Sequence, residues 1–224
     1  MKVILFGATG MVGQGVLREC LLDPDVGEVL VVGRSAIAQQ HEKLNQILVK
    51  DLADLSSVES KLSGYDTCFF CLGVSSVGMS EDDYRRVTYD LTLKIAATLI
   101  KHNPAMTFIY VSGAGTDSTE HGRVMWARIK GKTENALLAI PFKAAYMFRP
   151  GYIQPMHGVR TKTRLYGAIY AVVAPLYPAL KKFLPRYVTT TEQLGRAMLS
   201  VAKTGFPKQV LESSDINATP NLNH

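Results

Sequence analysis

The feature that most constrains the fold is the first thirteen residues, where an apolar run leads directly into three glycines. Residues 3–6 are uninterruptedly apolar, as in a central parallel strand that is covered on both faces. Gly7, Gly10 and Gly13 follow at three-residue spacing, and Met11–Leu22 has helical periodicity. Free backbone N–H groups and the helix dipole converge at such a turn, so the pattern predicts a phosphate-binding site.

Strand and helix patterns alternate through the following hundred or so residues. Apolar runs predict further strands at 29–32, 47–49, 67–71, 108–111 and 144–148. Helical patterns separate several of them, at 55–62, 84–102 and 124–140. This order predicts an α/β fold with a Rossmann-like, doubly wound parallel sheet and right-handed crossovers.

The last third of the chain has a different composition. Residues 151–164 are rich in glycine, proline and basic residues, and we expect a loop there. Residues 165–180 are uncharged and apolar, but too short for the roughly 20 residues of a membrane-spanning helix. Three interpretations stay open for this stretch: a helix packed on the core, a lid over a hydrophobic substrate, or a peripheral membrane contact through 165–182 with its basic flanks.

Two short elements are predicted near the end. Thr189 and Glu192 have the spacing of a capping box, which predicts a helix over 193–203. Residues 210–212 predict a short final strand. We expect a single domain over 1–224, with a core at about 1–155 and a small C-terminal lobe at 156–224 that forms the substrate side.

Charge and cysteine content limit the class of protein. The net charge is +6, which fits either a solvated basic surface or a pocket for an anionic ligand. Basic residues are scattered without a recognition helix, so we expect no nucleic-acid partner. Cys20, Cys68 and Cys71 suit a reducing cytoplasm, and the first strand begins too early for a leader peptide, so a cytoplasmic location is expected. Cys68 and Cys71 point to opposite faces of a strand, so we predict no metal site.

Three strand ends extend the predicted phosphate site into a dinucleotide site. Arg34 follows the second strand, where a carboxylate would bind a ribose 2′-hydroxyl, and an arginine suits a 2′-phosphate instead. We therefore favour NADP(H) over NAD(H). Asp51 follows the third strand and can accept a hydrogen bond from adenine, or simply cap a turn. Leu72 and Gly73 end the next strand at the same edge.

These residues resemble the short-chain dehydrogenase/reductase superfamily, in its atypical or extended, epimerase/dehydratase-like group. The resemblance covers about the first 155 residues. Ser112, Lys130 and Arg149-Pro150-Gly151 are further residues that carry it. It implies a dinucleotide cofactor, and for some relatives a homodimer. The cofactor-binding residues that we predict are Gly7, Thr9, Gly10, Met11, Val12, Gly13, Arg34, Asp51, Leu52, Cys71, Leu72, Gly73, Lys130, Pro150 and Gly151.

Catalysis in this superfamily uses a serine or threonine, a tyrosine and a lysine, the last two spaced i, i+4 on one helix. Lys130 stands at the lysine position, but Trp126 stands at the tyrosine position, and an indole does not ionise usefully as an acid or base. We predict Lys130 and Ser112 as catalytic residues, although Gly113 is an alternative occupant of the serine position. Other side chains that could carry the proton are Tyr152 and the histidines at 121 and 157.

Two functions are compatible with these residues. The first is an NADP(H)-binding oxidoreductase or epimerase-like protein that acts on a small carbonyl or hydroxyl substrate. The second is a catalytically impaired NADP sensor that binds a protein partner, an interpretation that Trp126 favours.

Overall fold

The fold is built on a seven-stranded sheet in which every neighbouring pair is parallel. The computed structural model describes residues 1–159 and 186–219 together with the single positions 177 and 184. Its strands run in the order β3-β2-β1-β4-β5-β6-β9. They are β1 Lys2–Phe6, β2 Glu28–Gly33, β3 Leu44–Leu48, β4 Thr67–Phe70, β5 Thr107–Val111, β6 Ala144–Arg149 and β9 Val210–Glu212. The predicted Rossmann-like doubly wound fold is confirmed.

Helices connect the strands and cover both faces of the sheet. They are α1 Met11–Leu22, a 3-10 helix Ser56–Leu62, α2 Glu81–Arg85, a π-helical turn Arg86–Asp90, α3 Leu91–His102, α4 Met125–Leu138, α5 Thr191–Thr204 and α6 Ser213–Ala218. The helix α1 has the predicted bounds. The three segments from α2 to α3 form the single long helix predicted at 84–102, with an earlier start.

The core consists of two apolar layers, one on each face of the sheet, because adjacent strand residues point to opposite faces. One layer joins Val3 and Leu5 of β1 to helices α1 and α5. The other joins Ile4 and Phe6 to α3 and the residues around Leu62. Since both faces are covered, the central strands are apolar throughout, which is why their sequences show no alternation.

Several predicted boundaries are wrong. The loop expected at 151–164 begins with strand β7 Tyr152–Gln154, which pairs with β8 Val188–Thr190 in a separate two-stranded sheet. The predicted strand at 47–49 is shifted, because β3 starts at Leu44. The helix expected at 55–62 is a 3-10 helix.

The cap of α5 differs from the prediction by one residue. Thr190 is the N-cap, and its hydroxyl accepts a hydrogen bond from the N–H of Gln193 at 2.9 Å. Thr189 instead lies in β8 with its side chain buried. Both threonines precede a Glu or Gln by three residues, so the spacing alone does not distinguish them.

The apolar stretch at 165–180, with all three of its interpretations, lies outside the described residues apart from position 177. Among the residues that are described, no helix is long and apolar enough to cross a membrane.

Candidate functional site

The glycine turn lies where β1 and β4 are neighbours and the chain crosses from one half of the sheet to the other. Gly7 has a φ of +86°, a conformation that disfavours a side chain. A Cβ on Gly7 would lie 2.6 Å from the carbonyl group of Cys71 at the end of β4. The N–H of Gly10 donates to the Gly7 carbonyl at 2.9 Å and closes the turn. In doubly wound sheets this crevice is where ligands bind.

The first turn of α1 faces that crevice without a capping side chain. Gly10 is the N-cap and has no side chain that could bond the first-turn N–H groups, and no acidic residue lies in the first turn. A Cβ on Gly13 would lie 2.1 Å from the Gly7 carbonyl oxygen, so helix and turn are in direct backbone contact. Met11 and Val12 are half-buried between these glycines. A cradle of this kind suits a pyrophosphate, which needs N–H groups and no nearby carboxylate.

A cleft of about 80 Å³ extends from the glycine turn to the end of β2. It brings together residues that are far apart in sequence: Gly7, Ala8, Thr9, Val31, Val32, Gly33, Arg34, Ser35, Leu52 and Leu72. None of these lining residues is acidic. The exposed Arg34 is the charged group among these lining residues.

The remaining residues predicted at this edge lie around the cleft. Leu52 is buried in its wall, whereas the carboxylate of Asp51 accepts the N–H of Ala53 at 2.9 Å and forms a local turn. Cys71 is partly buried behind the glycine turn, and Gly73 beyond it has open space around its α-carbon. Asp51 thus forms a turn, which is one of its two predicted roles, and its hydrogen bond to adenine stays a prediction.

Lys130 lies on α4, farther along the same edge of the sheet. Its ammonium group donates a hydrogen bond to the carbonyl oxygen of Ser112, the residue after β5. Burial lowers the pKa of Lys130 to about 8, and the carboxylate of Glu134 acts in the opposite direction. A lysine with this pKa carries its charge through most of the physiological range and can bind a ribose hydroxyl.

The hydroxyl of Ser112 does not face the site. It is buried, 2.5 Å from Oε1 of Glu134 and 3.1 Å from the carbonyl oxygen of Phe148. A Cβ on Gly113 would instead lie 3.9 Å from Nζ of Lys130. Gly113 thus occupies the position from which a serine side chain would approach Lys130. The prediction of Ser112 as a substrate-polarising hydroxyl finds no support in this arrangement.

Trp126 precedes Lys130 by one helical turn and is half-buried. Its indole ring lies against Gly115, where a Cβ would be 3.5 Å from the ring carbon Cη2. With an indole at this position and a glycine at 113, these two positions supply neither the phenol nor the hydroxyl that the superfamily uses for proton transfer.

Pro150 and Gly151 lie beside Gly113 and are bonded within the protein. The Pro150 carbonyl accepts the N–H of Ala114 at 2.9 Å. The Gly151 N–H donates to the hydroxyl of Ser213 at 2.6 Å. They join the loop after β5 to the C-terminal part of the chain.

The other proton carriers considered from the sequence make different contacts. The phenol of Tyr152 donates to Oε1 of Gln154 at 2.9 Å, and burial raises its pKa. His157 pairs with Glu192 at 2.7 Å. His121 is exposed and lines a separate cavity of about 500 Å³ between α2 and α4. That cavity contains none of the predicted cofactor residues.

Sequence reasoning missed Glu134, which is buried next to Ser112 and paired with Arg149. Oε1 and Oε2 of Glu134 both lie 3.1 Å from Nε of Arg149, and Oε2 also accepts from Nη2. The available signal was its spacing, because a residue four positions after Lys130 lies on the same helical face.

No group of three His, Cys, Asp or Glu side chains that could hold a metal occurs among the residues described. Cys68 and Cys71 pack in opposite layers of the core, as their spacing on the strand predicts. Burial raises the pKa of both thiols, which makes them poor nucleophiles and metal ligands.

Comparison with known families agrees with this geometry. The sequence model described as the NAD dependent epimerase/dehydratase family matches residues 3–123, more than half of the chain. The matched region includes the glycine turn, the cleft and the start of the loop after β5.

Similar curated proteins have names that state no reaction. Protein HTATIP2 of Rattus norvegicus is 28% identical over 154 residues, which are 68% of this chain and 62% of that protein. Protein FMP52, mitochondrial, of Meyerozyma guilliermondii is 24% identical over 98% of this chain and 95% of its own length. The chain thus spans less than two thirds of the rat protein but nearly all of the yeast one.

Solved structures share the fold at low sequence identity. The Bordetella bronchiseptica enzyme WbmF, in complex with NAD+, has a TM-score of 0.67 at 16% identity and covers 100% of this chain and 79% of its own. A short chain dehydrogenase/reductase of Saccharomyces cerevisiae has a TM-score of 0.65 at 15% identity, covering 97% of this chain and 98% of its own.

Proposed function

Because this chain belongs to the NAD dependent epimerase/dehydratase family, we propose that it binds NADP(H) and transfers hydride to or from a small carbonyl or hydroxyl substrate. The observation that carries the cofactor preference is the cleft at the end of β2, which contains Arg34 and no carboxylate. The glycine turn would hold the pyrophosphate, Arg34 the 2′-phosphate, and Lys130 the nicotinamide ribose.

The cofactor supplies the hydride, and the chain supplies binding and orientation. The close approach of Gly7 and Gly13 leaves the first turn of α1 open for a phosphate. Lys130, held by the Ser112 carbonyl, keeps a positive charge near the reacting end of the site. Proton delivery in this proposal comes from a group other than residue 126, since Trp126 stands where the superfamily has its tyrosine.

A titration with NADPH and NADH tests the cofactor preference. Trp126 is the only tryptophan of the chain, so its fluorescence reports on a single position. We expect NADPH to bind at least about tenfold more tightly than NADH. Removing one charge-assisted hydrogen bond costs about 1.5–3 kcal/mol, so Arg34→Ala should weaken NADPH binding roughly 10- to 100-fold and change NADH binding little.

The matched control is Arg86→Ala, which removes one exposed arginine from the long helix and changes the net charge equally. It should leave both affinities unchanged. Equal affinity for NADPH and NADH in the parent protein would contradict the NADP(H) preference, as would equal losses in the two arginine variants.

A second function, an NADP sensor that binds a protein partner, is favoured by the missing proton-transfer groups at 113 and 126. The two functions are separated by offering small aldehydes and ketones to the NADPH-saturated protein and following NADPH absorbance. Turnover that disappears in Lys130→Ala supports the oxidoreductase. Tight NADPH binding without turnover of any carbonyl in the panel supports the sensor.

A further inference from the structure

Glu134 and Arg149 form a buried ion pair at the foot of the candidate site. The Glu134 side chain is 1% exposed and the Arg149 side chain 10%. A buried pair of this kind seldom stabilises a protein relative to apolar residues, because desolvating both charges offsets their attraction. The contacts of this pair indicate a role other than stability.

Arg149 connects three segments that surround the site. Besides Glu134 on α4, it donates through Nη2 to the hydroxyl of Ser118, in the loop that carries Gly113. Through Nη1 it reaches Glu212, the N-cap of α6, at 3.4 Å. The guanidinium group of Arg149 thus joins α4, which carries Lys130, to the loop after β5 and to the C-terminal part of the chain.

Glu134, one member of this ion pair, acts on Lys130 in two ways. Its carboxylate holds the Ser112 hydroxyl, and the carbonyl of that serine accepts the hydrogen bond from Lys130. Its charge also lies one helical turn from Lys130, on the same face of α4. Among the described residues, Glu134 is the charged group whose field acts on Lys130, against the effect of burial.

We propose that Glu134 and Arg149 are positioning residues: they fix the Ser112 segment to which Lys130 is bound, and Glu134 supplies the counter-charge that keeps Lys130 an ammonium ion. The proposal rests on the proposed function only for the identity of the group that Lys130 meets, the nicotinamide ribose.

The test is a titration of Lys130 in isotope-labelled protein by NMR, with its resonance assigned from the Lys130→Arg variant. The parent midpoint is expected near pH 8. Because a neighbouring opposite charge favours the charged form, and Glu134 acts on Lys130 in this way, Glu134→Gln should lower the midpoint by about one unit. In the same variant, NADPH affinity should start to fall at a correspondingly lower pH.

Glu19→Gln is the matched control. Glu19 is as buried as Glu134 and is also paired with arginine, in its case Arg18 and Arg196, but it lies on α1 away from Lys130. It should lose stability as Glu134→Gln does and leave the Lys130 midpoint in place. A midpoint that does not move in Glu134→Gln, or that moves as far in Glu19→Gln, would overturn the positioning role.

A second variant keeps the test decisive if Glu134→Gln fails to fold. Glu134→Gln combined with Arg149→Met removes both charges, a replacement that buried pairs often tolerate. The midpoint of Lys130 should again fall, but by less, since loss of the Arg149 cation acts in the opposite direction. An unchanged midpoint counts against the proposal. The titration needs no cofactor, so absent NADPH binding would contradict the proposed function while the midpoint still decides the role of Glu134.

Discussion

Gly13 packs directly against the carbonyl group of Gly7, at a separation that leaves no room for a side chain. The Cβ of any other residue at 13 would meet the Gly7 oxygen at 2.1 Å and the Ala8 α-carbon at 2.9 Å. Both neighbours are backbone atoms, which cannot rotate away. The first turn of α1 therefore stays close to β1 only while residue 13 is glycine.

Gly13→Ala should destabilise the fold by about 2–3 kcal/mol, as expected for overpacking against fixed atoms. It should also weaken NADPH binding more than tenfold, because the turn must move away from the helix. Urea unfolding and fluorescence titration measure the two effects. Gly27→Ala, at a position with open space around it, is the control and should change neither. Similar losses in both variants would contradict the close-packing argument.

The pKa of Lys130 predicts a pH dependence of stability. Burial lowers this pKa to about 8 in the folded chain, against an ordinary value of 10.5 in the unfolded chain. Between these values the unfolded chain binds more protons, so the free energy of unfolding rises with pH across that window. Relative to Lys130→Met, the parent should gain about 1–3 kcal/mol from pH 8 to 10.5. Urea unfolding at several pH values measures it, and parallel pH curves for the two proteins would be the contrary result.

Trp126→Tyr should increase the rate of carbonyl reduction. It places a phenol one helical turn before Lys130, whose charge favours the ionised form of the phenol. Positioned general acids contribute about 10²–10⁴-fold, so we expect at least a 100-fold faster loss of NADPH absorbance with the best carbonyl of the panel. Trp126→Phe, which fills the same space without a hydroxyl, should show no such gain. Equal rates in the two variants would mean that residue 126 does not reach the substrate.

Neighbouring threonines at the start of α5 should respond in opposite ways to loss of their hydroxyls. Thr190→Ala removes the cap on Gln193 and should cost about 1 kcal/mol. In the described part of the chain, Oγ1 of Thr189 is buried without a hydrogen-bond partner. Thr189→Val removes that unsatisfied group at nearly constant shape and should be neutral or stabilising. Thermal unfolding of both variants measures the difference, and a larger loss in Thr189→Val would contradict the assignment of the cap.

The parts of the fold that were predictable have strong local signals. Met11–Leu22 was predicted with its observed bounds because glycines precede it and its apolar residues recur at helical spacing. The parallel sheet followed from the alternation of elements, since topological rules leave few arrangements for such an order. Strand β7 at Tyr152–Gln154 was missed because only three residues form it and its partner lies more than thirty residues away.

The candidate site was predictable where backbone geometry determines it, at the glycine turn and the strand ends around Arg34. The part of the site around Ser112 was not predictable, because a buried carboxylate determines where the serine hydroxyl points. Glu134 has the sequence pattern of a solvated helix residue, and only the folded chain shows that it takes the Ser112 hydroxyl away from the site. The sequence leaves Ser112 and Gly113 as alternatives for the serine position. The folded chain favours Gly113, because a Cβ there would lie 3.9 Å from Nζ of Lys130.

The contact between α1 and α5 has a consequence for how the chain is made. Gly15 lies so close to Thr191 that a Cβ on Gly15 would be 2.6 Å from that of Thr191, and a Cβ on Gly195 would be 2.8 Å from Cγ of Glu19. The helix α1 therefore completes its packing only against α5, which lies far later in the sequence. On the ribosome, α1 is made well before α5, so the apolar surface of α1 stays exposed until the residues between the two helices and α5 itself have been synthesised.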